Sequence, residues 1–307
     1  MNTISQDILK TLAYFDYFNY PLTNQDICSF ACSQYDQAYI DKTLNELARD
    51  TIVFKLHEFY SLQNDYSLMD KRVKGNHMAV KQLAIARKVA RLISQFPFIK
   101  TVAVSGSLSK HYADEKTDID FFIITKANRL WIARTLTHLF KKLSYLIGKQ
   151  QWFCMNYYVD EVGMEIPEKN IFTAMEIVTL LPMEGLQHHE KFMKANIWTA
   201  GFFPAHQIES NAATEIKKSS ICKCFEKIFN SKAGDLVDKW LMTVTDKRWK
   251  KKTAGGKLNA HNAPIGMMVS RHFSKPNPKN FQAKVVQQYE NRVKELMELT
   301  QPAAITL

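Results

Sequence analysis

A glycine–serine turn between two apolar segments, followed by an Asp-Ile-Asp triplet, constrains this chain more than any other feature. Residues 101–104 and 121–125 are apolar enough to form buried strands. Side chains alternate between the two faces of a strand, so we expect Asp118 and Asp120 to lie on one face and Ile119 on the other. Two neighbouring carboxylates raise one another's pKa and resist burial unless a cation lies between them. The triplet therefore predicts a divalent metal site.

The glycine–serine turn supplies the second part of the predicted site. Gly106 and Ser107 let the backbone turn tightly and approach a ligand, and the first N–H groups of a helix predicted over residues 108–113 would face a phosphate. We group Lys110, which adds positive charge, and Thr117 with these phosphate-binding residues. Mg²⁺, or Mn²⁺ in its place, takes oxygen ligands from one or two carboxylates and the rest from phosphates and water. A metal-bound nucleoside triphosphate is the ligand that fits both parts.

With Gly106, Ser107, Asp118 and Asp120 in these positions, the sequence resembles the DNA polymerase beta-like nucleotidyltransferase superfamily. The signature of that superfamily is Gly-Ser or Gly-Gly, about a dozen residues, and then two aspartates around an apolar residue. The resemblance covers roughly residues 98–160. It implies a small mixed sheet flanked by helices, with Mg²⁺ on the paired aspartates and the triphosphate on the turn. It also implies transfer of a nucleotidyl group to a hydroxyl or other acceptor with release of pyrophosphate, and it does not identify the acceptor.

Active members of that superfamily generally carry a third acid on a later strand, and the strand predicted here over residues 152–159 offers Asn156 instead. An amide oxygen can bind a metal but cannot accept a proton from the acceptor. Three interpretations stay open: Asp160 or Glu165 supplies the acid, Asn156 is a weaker ligand in an enzyme that relies on two carboxylates, or the domain binds nucleotide without turning it over. Asp160 is the first candidate, because strict alternation puts it on the same face as Asn156.

The whole chain is expected to form an α+β fold with a small mixed-sheet nucleotidyltransferase core flanked by helices, an N-terminal winged helix and a mainly helical C-terminal region. Residues 1–65 have the rhythm of three helices and a hairpin, with Thr23 as the N-cap of the second helix. A connecting helix is predicted over residues 66–97, the core over residues 98–200, and the basic, helical region over residues 201–307.

Within these parts the patterns predict several finer features. The connecting helix is expected to break near Gly75, because glycine weakens a helix. A fourth strand is predicted over residues 162–166, and further helices over residues 172–181, 187–199 and 282–299.

Charge is distributed unevenly along the chain. The net charge is +11, yet residues 1–65 carry four Lys or Arg against nine Asp or Glu. The third predicted helix, residues 36–50, contains four acidic and two basic residues, which argues against tight DNA binding and favours a protein-docking or acceptor-orienting role for the winged helix. Residues 217–294 carry eighteen bases against five acids, with Trp240 and Trp249 among them. Such a surface suits RNA or another anionic partner, and a solvated helical face is the alternative.

The remaining composition favours a cytoplasmic protein with no membrane segment. No basic-then-apolar leader pattern is present, and no apolar run approaches the ~20 residues that a bilayer-spanning helix needs. The five cysteines do not have the spacing of a zinc finger, and we expect them to be buried thiols.

Together these features predict a Mg²⁺-dependent nucleotidyltransferase that moves a nucleoside monophosphate from an NTP to an unidentified acceptor. Asp118, Asp120 and Asp160 are the predicted catalytic residues, and Asp118, Asp120 and Asn156 are the predicted metal ligands. The alternative function is a catalytically weak nucleotide-binding regulator that uses the winged helix to meet a protein or DNA.

Overall fold

The computed structural model of the chain describes residues 3–144, 148, 150–207, 213–256, 266–276 and 281–299. Over these residues the fold is mixed α+β, with one six-stranded and one three-stranded sheet, which confirms the fold class at that level. The helices are α1 (Thr3–Asp16), α2 (Asn24–Phe30), α3 (Gln37–Arg49), α4 (Ser67–Ser94), α5 (Leu130–Ser144), α6 (Ile171–Val178), α7 (Leu186–Ala195), α8 (Ser220–Phe229), α9 (Lys232–Ala254) and α10 (Phe281–Leu299). The strands are β1 (Leu22–Thr23), β2 (Phe54–Leu56), β3 (Phe59–Ser61), β4 (Ile99–Val104), β5 (Asp120–Thr125), β6 (Cys154–Asp160), β7 (Leu181–Glu184), β8 (Met267–Val269) and β9 (Phe273–Pro276).

The N-terminal part contains α1, α2 and α3 and an antiparallel sheet in the order β1-β3-β2. Thr23 caps α2 as the sequence predicts, because its hydroxyl accepts a hydrogen bond from the Asp26 N–H while the Asp26 carboxylate accepts one from the Thr23 N–H. Helix α3 buries Ile40 and Leu44 and leaves Asp41 exposed. Three helices and a hairpin are therefore present, and the outer surface of α3 includes acidic side chains.

The apolar core of the N-terminal part continues into distant segments of the chain. Ile8 and Leu12 of α1 belong to the same buried cluster as Met175 of α6 and Val285 and Leu296 of α10. The part of the chain before residue 65 thus shares its core with much later residues. Helix α10 follows the prediction for residues 282–299 closely.

The six-stranded sheet has the order β7-β4-β5-β6-β9-β8. Strands β5 and β6 are parallel, and the other neighbouring pairs are antiparallel. One face, which includes Phe121 and Ile123, packs against α4 and α5; the other face, which includes Phe122 and Ile124, packs against α6 and α7. Because helices cover both faces, both faces of the sheet are buried. This explains why the residues of β5 are continuously apolar.

Helix α4 is continuous through Gly75, so the predicted break there is wrong. The reason is packing: a Cβ at position 75 would lie 2.3 Å from Cε2 of the Tyr112 ring. Gly75 therefore lets the loop after the glycine–serine turn lie directly on the helix. The same residue type that weakens a helix interior here provides space for an aromatic ring.

Two expectations for the middle of the chain are also wrong. Residues 162–166 do not form a strand; the chain turns at Gly163, where a Cβ would lie 2.8 Å from the backbone of His272. The helix predicted to reach residue 181 ends at Val178, and residues 181–184 become the strand β7, with Pro182 at the edge of the sheet. An edge position accepts proline because one of its backbone sides needs no N–H donor.

The C-terminal part adds two strands that the sequence patterns do not predict. Strands β8 and β9 extend the central sheet, with β9 paired to β6 through Tyr158 and Val159. Helices α8 and α9 confirm that the described portion of residues 201–307 is largely helical. Among the described helices, none combines the length and the apolar character needed to cross a membrane.

Candidate functional site

The glycine–serine turn lies directly against the second aspartate of the triplet. Gly106 has φ +71°, a conformation that favours glycine, and a Cβ at this position would lie 2.9 Å from Oδ2 of Asp120. The Ser105 N–H donates a hydrogen bond to the carbonyl oxygen of Asp120 (2.9 Å), which closes the turn onto the start of β5. The two halves of the sequence motif are therefore adjacent in space.

The helical segment after the turn is shorter than predicted. Leu108–Lys110 forms a single 3₁₀ turn that stops at His111, where φ is 55°, so the helix predicted over residues 108–113 is wrong. Lys110 Nζ donates to the Gly106 carbonyl (3.1 Å) and to Oε1 of Glu176 (2.7 Å). The ammonium group thus lies at the turn, already paired with a carboxylate.

Thr117 has a local structural role. Its hydroxyl donates to Oδ1 of Asp114 (2.8 Å) and accepts from the Asp114 N–H (2.8 Å), which closes a tight loop just before the triplet. These hydrogen bonds lower the pKa of Asp114. Thr117 therefore positions the chain that leads into Asp118, and its hydroxyl is occupied.

Asp118 and Asp120 follow the alternation expected of an extended segment. Ile119 between them is buried in the same cluster as Phe121, on the face covered by α4 and α5, so the aspartates point to the other face. Burial, reinforced by the charges of Asp118 and Glu176, raises the pKa of Asp120 to about 7; the Cys154 thiol and Lys141 act in the opposite direction. Asp120 is thus a carboxyl whose ionised form lacks sufficient compensation from the protein.

A β-bulge in β6 brings Asn156 to this carboxylate. Phe121 pairs with Met155 and Phe122 pairs with Tyr157, so Asn156 is an extra residue in β6 with no partner in β5. Its Nδ2 donates a short hydrogen bond to Oδ1 of Asp120, and its Oδ1 accepts one from the Cys154 thiol (3.2 Å). Burial and the charge of Asp120 raise the pKa of Cys154 to about 12, so the thiol stays protonated.

This arrangement brings Asn156 to the aspartates, as the sequence predicts, but in a different orientation. The amide nitrogen faces Asp120, and the amide oxygen faces Cys154. The predicted metal ligation by the Asn156 oxygen therefore requires the amide to turn over. As oriented, Asn156 is a hydrogen-bond donor to the Asp120 carboxylate.

The bulge also corrects the predicted position of Asp160. Strict alternation predicts that Asp160 shares a face with Asn156, but the extra residue shifts the alternation by one, and Asp160 pairs with Thr125 while Asp120 pairs with Cys154. The two aspartates lie at opposite ends of the strands, roughly 16 Å apart along the strand at ~3.3 Å per residue, and on opposite faces. The prediction that Asp160 completes the site is therefore wrong.

Asp160 instead holds together the far end of the sheet. The fully buried carboxylate accepts hydrogen bonds from three backbone N–H groups, those of Asn128 (2.8 Å), Val162 (2.9 Å) and Gly163 (3.0 Å), and contacts Nδ1 of His272 at 2.9 Å. This is a structural carboxylate with a full set of fixed partners.

Glu165, the other candidate acid, is exposed and forms an ion pair with Lys169 (2.8 Å), four residues further along the sequence. Its partner draws it into a surface pair outside the strands that carry the site. Neither of the acids that sequence alternation and position suggested lies beside Asp120.

Three charged residues of the site have no signal in the sequence pattern. Glu176 of α6 lies close enough to raise the pKa of Asp120 through its charge, and it shares a cleft with Asp120 and Asn156. Glu168 and Lys275, from the loop before α6 and from β9, form an ion pair in the same cleft. Each comes from a segment distant in the sequence, so only the folded sheet and the packing of α6 on it bring these residues together.

Two clefts meet at Gly106. The first, of about 350 Å³, extends from Gly106 and Asp120 along Asn156 and Tyr157 to Lys275. The second, of about 420 Å³, extends from Gly106 and Ser107 between the N-terminal part and α10. Glu176 borders both clefts. The turn, Asp120 and Glu176 therefore lie where two concave surfaces meet, each of a size that accommodates a small ligand.

Over the described ranges no group of three or more His, Cys, Asp or Glu side chains is placed to hold a metal ion. Asp118 and Asp120 form a two-carboxylate arrangement, which suits a cation that takes its remaining ligands from water or from phosphates.

Comparisons of the chain with protein-family models, with curated proteins and with solved structures return no match. The geometry of these residues is accordingly the basis for a functional assignment.

Proposed function

We propose that this protein is a Mg²⁺-dependent nucleotidyltransferase, which moves a nucleoside monophosphate from an NTP to an acceptor and releases pyrophosphate. One observation carries the proposal: the backbone of Gly106 lies so close to Asp120 that a Cβ would be 2.9 Å from its carboxylate. A turn able to approach phosphates and a pair of carboxylates able to hold a cation thus form one site. The sequence resemblance to polymerase beta-like nucleotidyltransferases points to the same chemistry.

Asp118 and Asp120 fit a divalent cation. Burial and like charge raise the pKa of Asp120 to about 7, and a cation between the two carboxylates would relieve both effects. When bound, Mg²⁺ or Mn²⁺ supplies positive charge against the phosphates of the nucleotide. Gly106 and Ser107 orient the β- and γ-phosphates, and Lys110 adds charge at the turn.

Glu176 is the residue that we propose as proton acceptor in place of the missing third acid. Its charge acts on Asp120, and it borders both clefts at the turn. In the reaction the acceptor oxygen or nitrogen forms a bond to the α-phosphorus while the bond from that phosphorus to the bridging oxygen breaks. Pyrophosphate leaves with the electron pair, and the proton of the acceptor passes to the Glu176 carboxylate. Lys110, 2.7 Å from Glu176, holds that carboxylate in position.

The test is transfer of label from [α-³²P]NTPs with Mg²⁺ or Mn²⁺ in the presence of a cell extract. We expect labelled acceptor with the wild type and with the control variant Glu190→Ala, which changes an exposed acid of α7. Asp118→Ala/Asp120→Ala should reduce labelling to background. Equal labelling by the wild type and the double variant would contradict the proposal. Glu176→Gln separates the roles: we expect slower transfer by a protein that still binds Mg²⁺–NTP.

The acceptor that we propose is anionic, and RNA is the first choice. Helix α9 carries an exposed Trp240, and Lys252 Nζ lies 4.7 Å from the centroid of the Trp249 ring. Basic side chains and aromatic rings are therefore interleaved on this helix. If the labelled product is RNA, ribonuclease removes the label and protease does not. The opposite result would assign a protein acceptor.

A nucleotide-binding regulator is the second candidate, and the position of Asn156 favours it. Asn156 donates to Asp120 and cannot accept a proton, so a site without turnover would have this residue where an enzyme has an acid. For a regulator we expect Mg²⁺–NTP to change the affinity for a protein partner of the N-terminal part without being consumed. Release of pyrophosphate during that experiment would exclude this candidate.

A further inference from the structure

The cleft between the N-terminal part and α10 is lined mainly by aromatic side chains. They come from the end of α1 and the segment after it, from the loop behind the glycine–serine turn, from α6 and from α10, and they include Tyr14, Phe18, Tyr20, Tyr112, Phe172 and Phe281. A concave surface of about 420 Å³ with several aromatic rings suits a flat, apolar-faced ligand.

Two of these rings lie exposed at the cleft. Phe18 is 39% exposed and Phe281 is 42% exposed, and they belong to segments that are far apart in the sequence. Phe281 packs edge-on against Phe172 (5.8 Å between centroids), and Phe18 packs against Tyr14 (5.7 Å). Each exposed ring is therefore held in place by a second ring. A ligand that stacks on it then loses little binding free energy to ordering of the side chain.

The inner wall of the cleft is held rigidly. Tyr112 lies against Gly75 of α4 and meets the Tyr20 ring edge-on at 5.8 Å. The Tyr20 hydroxyl donates to the carbonyl oxygen of Lys110 (3.1 Å), and the Arg72 guanidinium lies 4.3 Å from the Tyr20 ring centroid. These contacts tie the aromatic wall directly to the turn that carries Gly106.

Polar groups are also present in this wall. Asn19 and Ser107 border the cleft, and the hydroxyl of Tyr14 is buried without a hydrogen-bond partner among the described residues. Burial and the charge of Glu176 raise the pKa of Tyr14, so the hydroxyl remains a protonated donor. An unpaired buried hydroxyl is costly, and such groups are often kept where a ligand supplies the partner.

We propose that this cleft binds the nucleobase of the nucleotide whose phosphates lie on the Gly106–Ser107 turn, with the base stacked on Phe18 and Phe281. The inference rests on the proposed nucleotide site and names the part of the substrate that the aromatic cleft recognises. It also gives the N-terminal part a role that does not involve DNA: α1 and the segment after it form one wall of the nucleotide site.

The position of the cleft favours the base over the acceptor. The aromatic cleft reaches the site through Gly106, Ser107 and Lys110, the residues of the phosphate-binding turn. The other cleft reaches it through Asp120 and Asn156, contains the Glu168–Lys275 ion pair, and shares Phe172 and Phe281 with the aromatic cleft. A planar heteroaromatic ring gains from stacking on several rings, and the residues that the aromatic cleft shares with the phosphate turn place such a ring next to the nucleotide's own phosphates.

The experiment compares two kinds of ligand by calorimetry with Mg²⁺ present: the α,β-methylene analogues of the four NTPs, and inorganic tripolyphosphate, which has no base. For the wild type we expect at least one nucleotide to bind tighter than tripolyphosphate. In Phe18→Ala/Phe281→Ala that nucleotide should bind roughly 5- to 150-fold more weakly, the range expected for loss of base–aromatic stacking. The affinity for tripolyphosphate should stay within about twofold, because the phosphate turn is unchanged.

A matched control is Tyr39→Ala, which removes a ring that is 67% exposed on α3 outside the cleft and should leave nucleotide affinity at the wild-type value. Wild-type nucleotide affinity in the Phe18→Ala/Phe281→Ala variant would overturn the inference, as would equal wild-type affinity for nucleotides and tripolyphosphate. A variant that binds nucleotides normally but labels its acceptor poorly would assign the cleft to the acceptor and overturn the inference too.

Failure of the proposed function has a different signature. If Asp118→Ala/Asp120→Ala binds nucleotides and tripolyphosphate like the wild type, the carboxylates do not hold the metal–phosphate complex. A stacking loss in the phenylalanine variant would then still support base binding in the cleft.

Discussion

The two ends of the neighbouring strands β5 and β6 each carry an aspartate, and the two carboxylates have opposite surroundings. Asp160 is fully buried and has three backbone N–H donors and a histidine as partners. Asp120 has one amide donor, Asn156, and two like charges, Asp118 and Glu176, and its pKa is raised to about 7. The fold satisfies the hydrogen-bonding capacity of the Asp160 carboxylate completely and compensates the negative charge of Asp120 only in part.

This difference separates a structural acid from a functional one. A carboxylate whose hydrogen-bonding capacity is filled by the fold has no capacity left for a ligand, however well it is placed in the sequence. A carboxylate that is partly buried beside other acids gains most from an added cation. Judged by sequence alternation, Asp160 and Asp120 look alike; judged by their partners, only Asp120 is prepared to bind something.

The largest effect that we expect is a loss of protein stability when Asp160 is replaced. Asp160→Ala leaves three buried backbone donors unpaired and should lower the free energy of unfolding by about 3–5 kcal/mol. Urea unfolding measures this loss. Nucleotide binding by the remaining folded protein should match the wild type. Should Asp160→Ala fail to fold, His272→Ala removes only the histidine partner of Asp160 and should destabilise the protein less. Its stability and nucleotide binding are then compared with those of the wild type. Lost nucleotide binding in a folded variant would return Asp160 to the site.

A smaller and opposite effect is expected at Asp120, and it depends on pH. In metal-free protein the pKa of Asp120 is raised to about 7, while an unfolded aspartate titrates near ~3.9. Below pH ~4 both states are protonated, and the residue costs nothing. As the pH rises from about 4 to 7, the unfolded chain ionises first, so the wild type loses stability.

Asp120→Asn removes that titration. Thermal unfolding in EDTA should therefore show a wild type that falls below Asp120→Asn by a few degrees as the pH is raised from 4 to 8. Added Mg²⁺ should raise the melting temperature of the wild type and leave that of the variant unchanged. Parallel profiles for the two proteins at all pH values would show that Asp120 is as well satisfied as Asp160.

The smallest stability effect is expected at the turn itself. Gly106→Ala places a Cβ in a backbone conformation with φ +71° and 2.9 Å from the Asp120 carboxylate, and we expect a loss of about 1–2 kcal/mol together with weaker Mg²⁺–NTP binding. Gly256→Ala is the matched control, because Gly256 has φ +61° with no atom within 4 Å of the added Cβ. Equal nucleotide binding by both variants would mean that contact between the turn and Asp120 is unimportant.

Much of the fold follows from the sequence patterns. The hydroxyl of Thr23 and the acid at Asp26 are sufficient to define the start of α2, since capping is a local interaction. The apolar run in β5 and the periodicity of α10 likewise define those elements. The patterns fail where a contact from far along the chain decides the outcome, as at Gly75, whose space is filled by Tyr112, and at β7, which pairs with β4 despite Pro182.

The candidate site divides in the same way. Gly106, Asp118 and Asp120 could be identified because their chemistry and spacing are written within a short stretch. Glu176 and Lys275 could not, because nothing in the sequence distinguishes them from other surface charges until α6 and β9 pack beside β5 and β6.

The sequence by itself determined the anchor: a turn that only glycine adopts easily, and two acids on one face of an extended segment, since both depend on backbone geometry over a few residues. The tertiary structure alone decided which acids join them. One extra residue in β6 turned Asn156 toward Asp120 and put Asp160 on the opposite face, and such a bulge arises from the pairing of two strands, which is invisible in either strand alone.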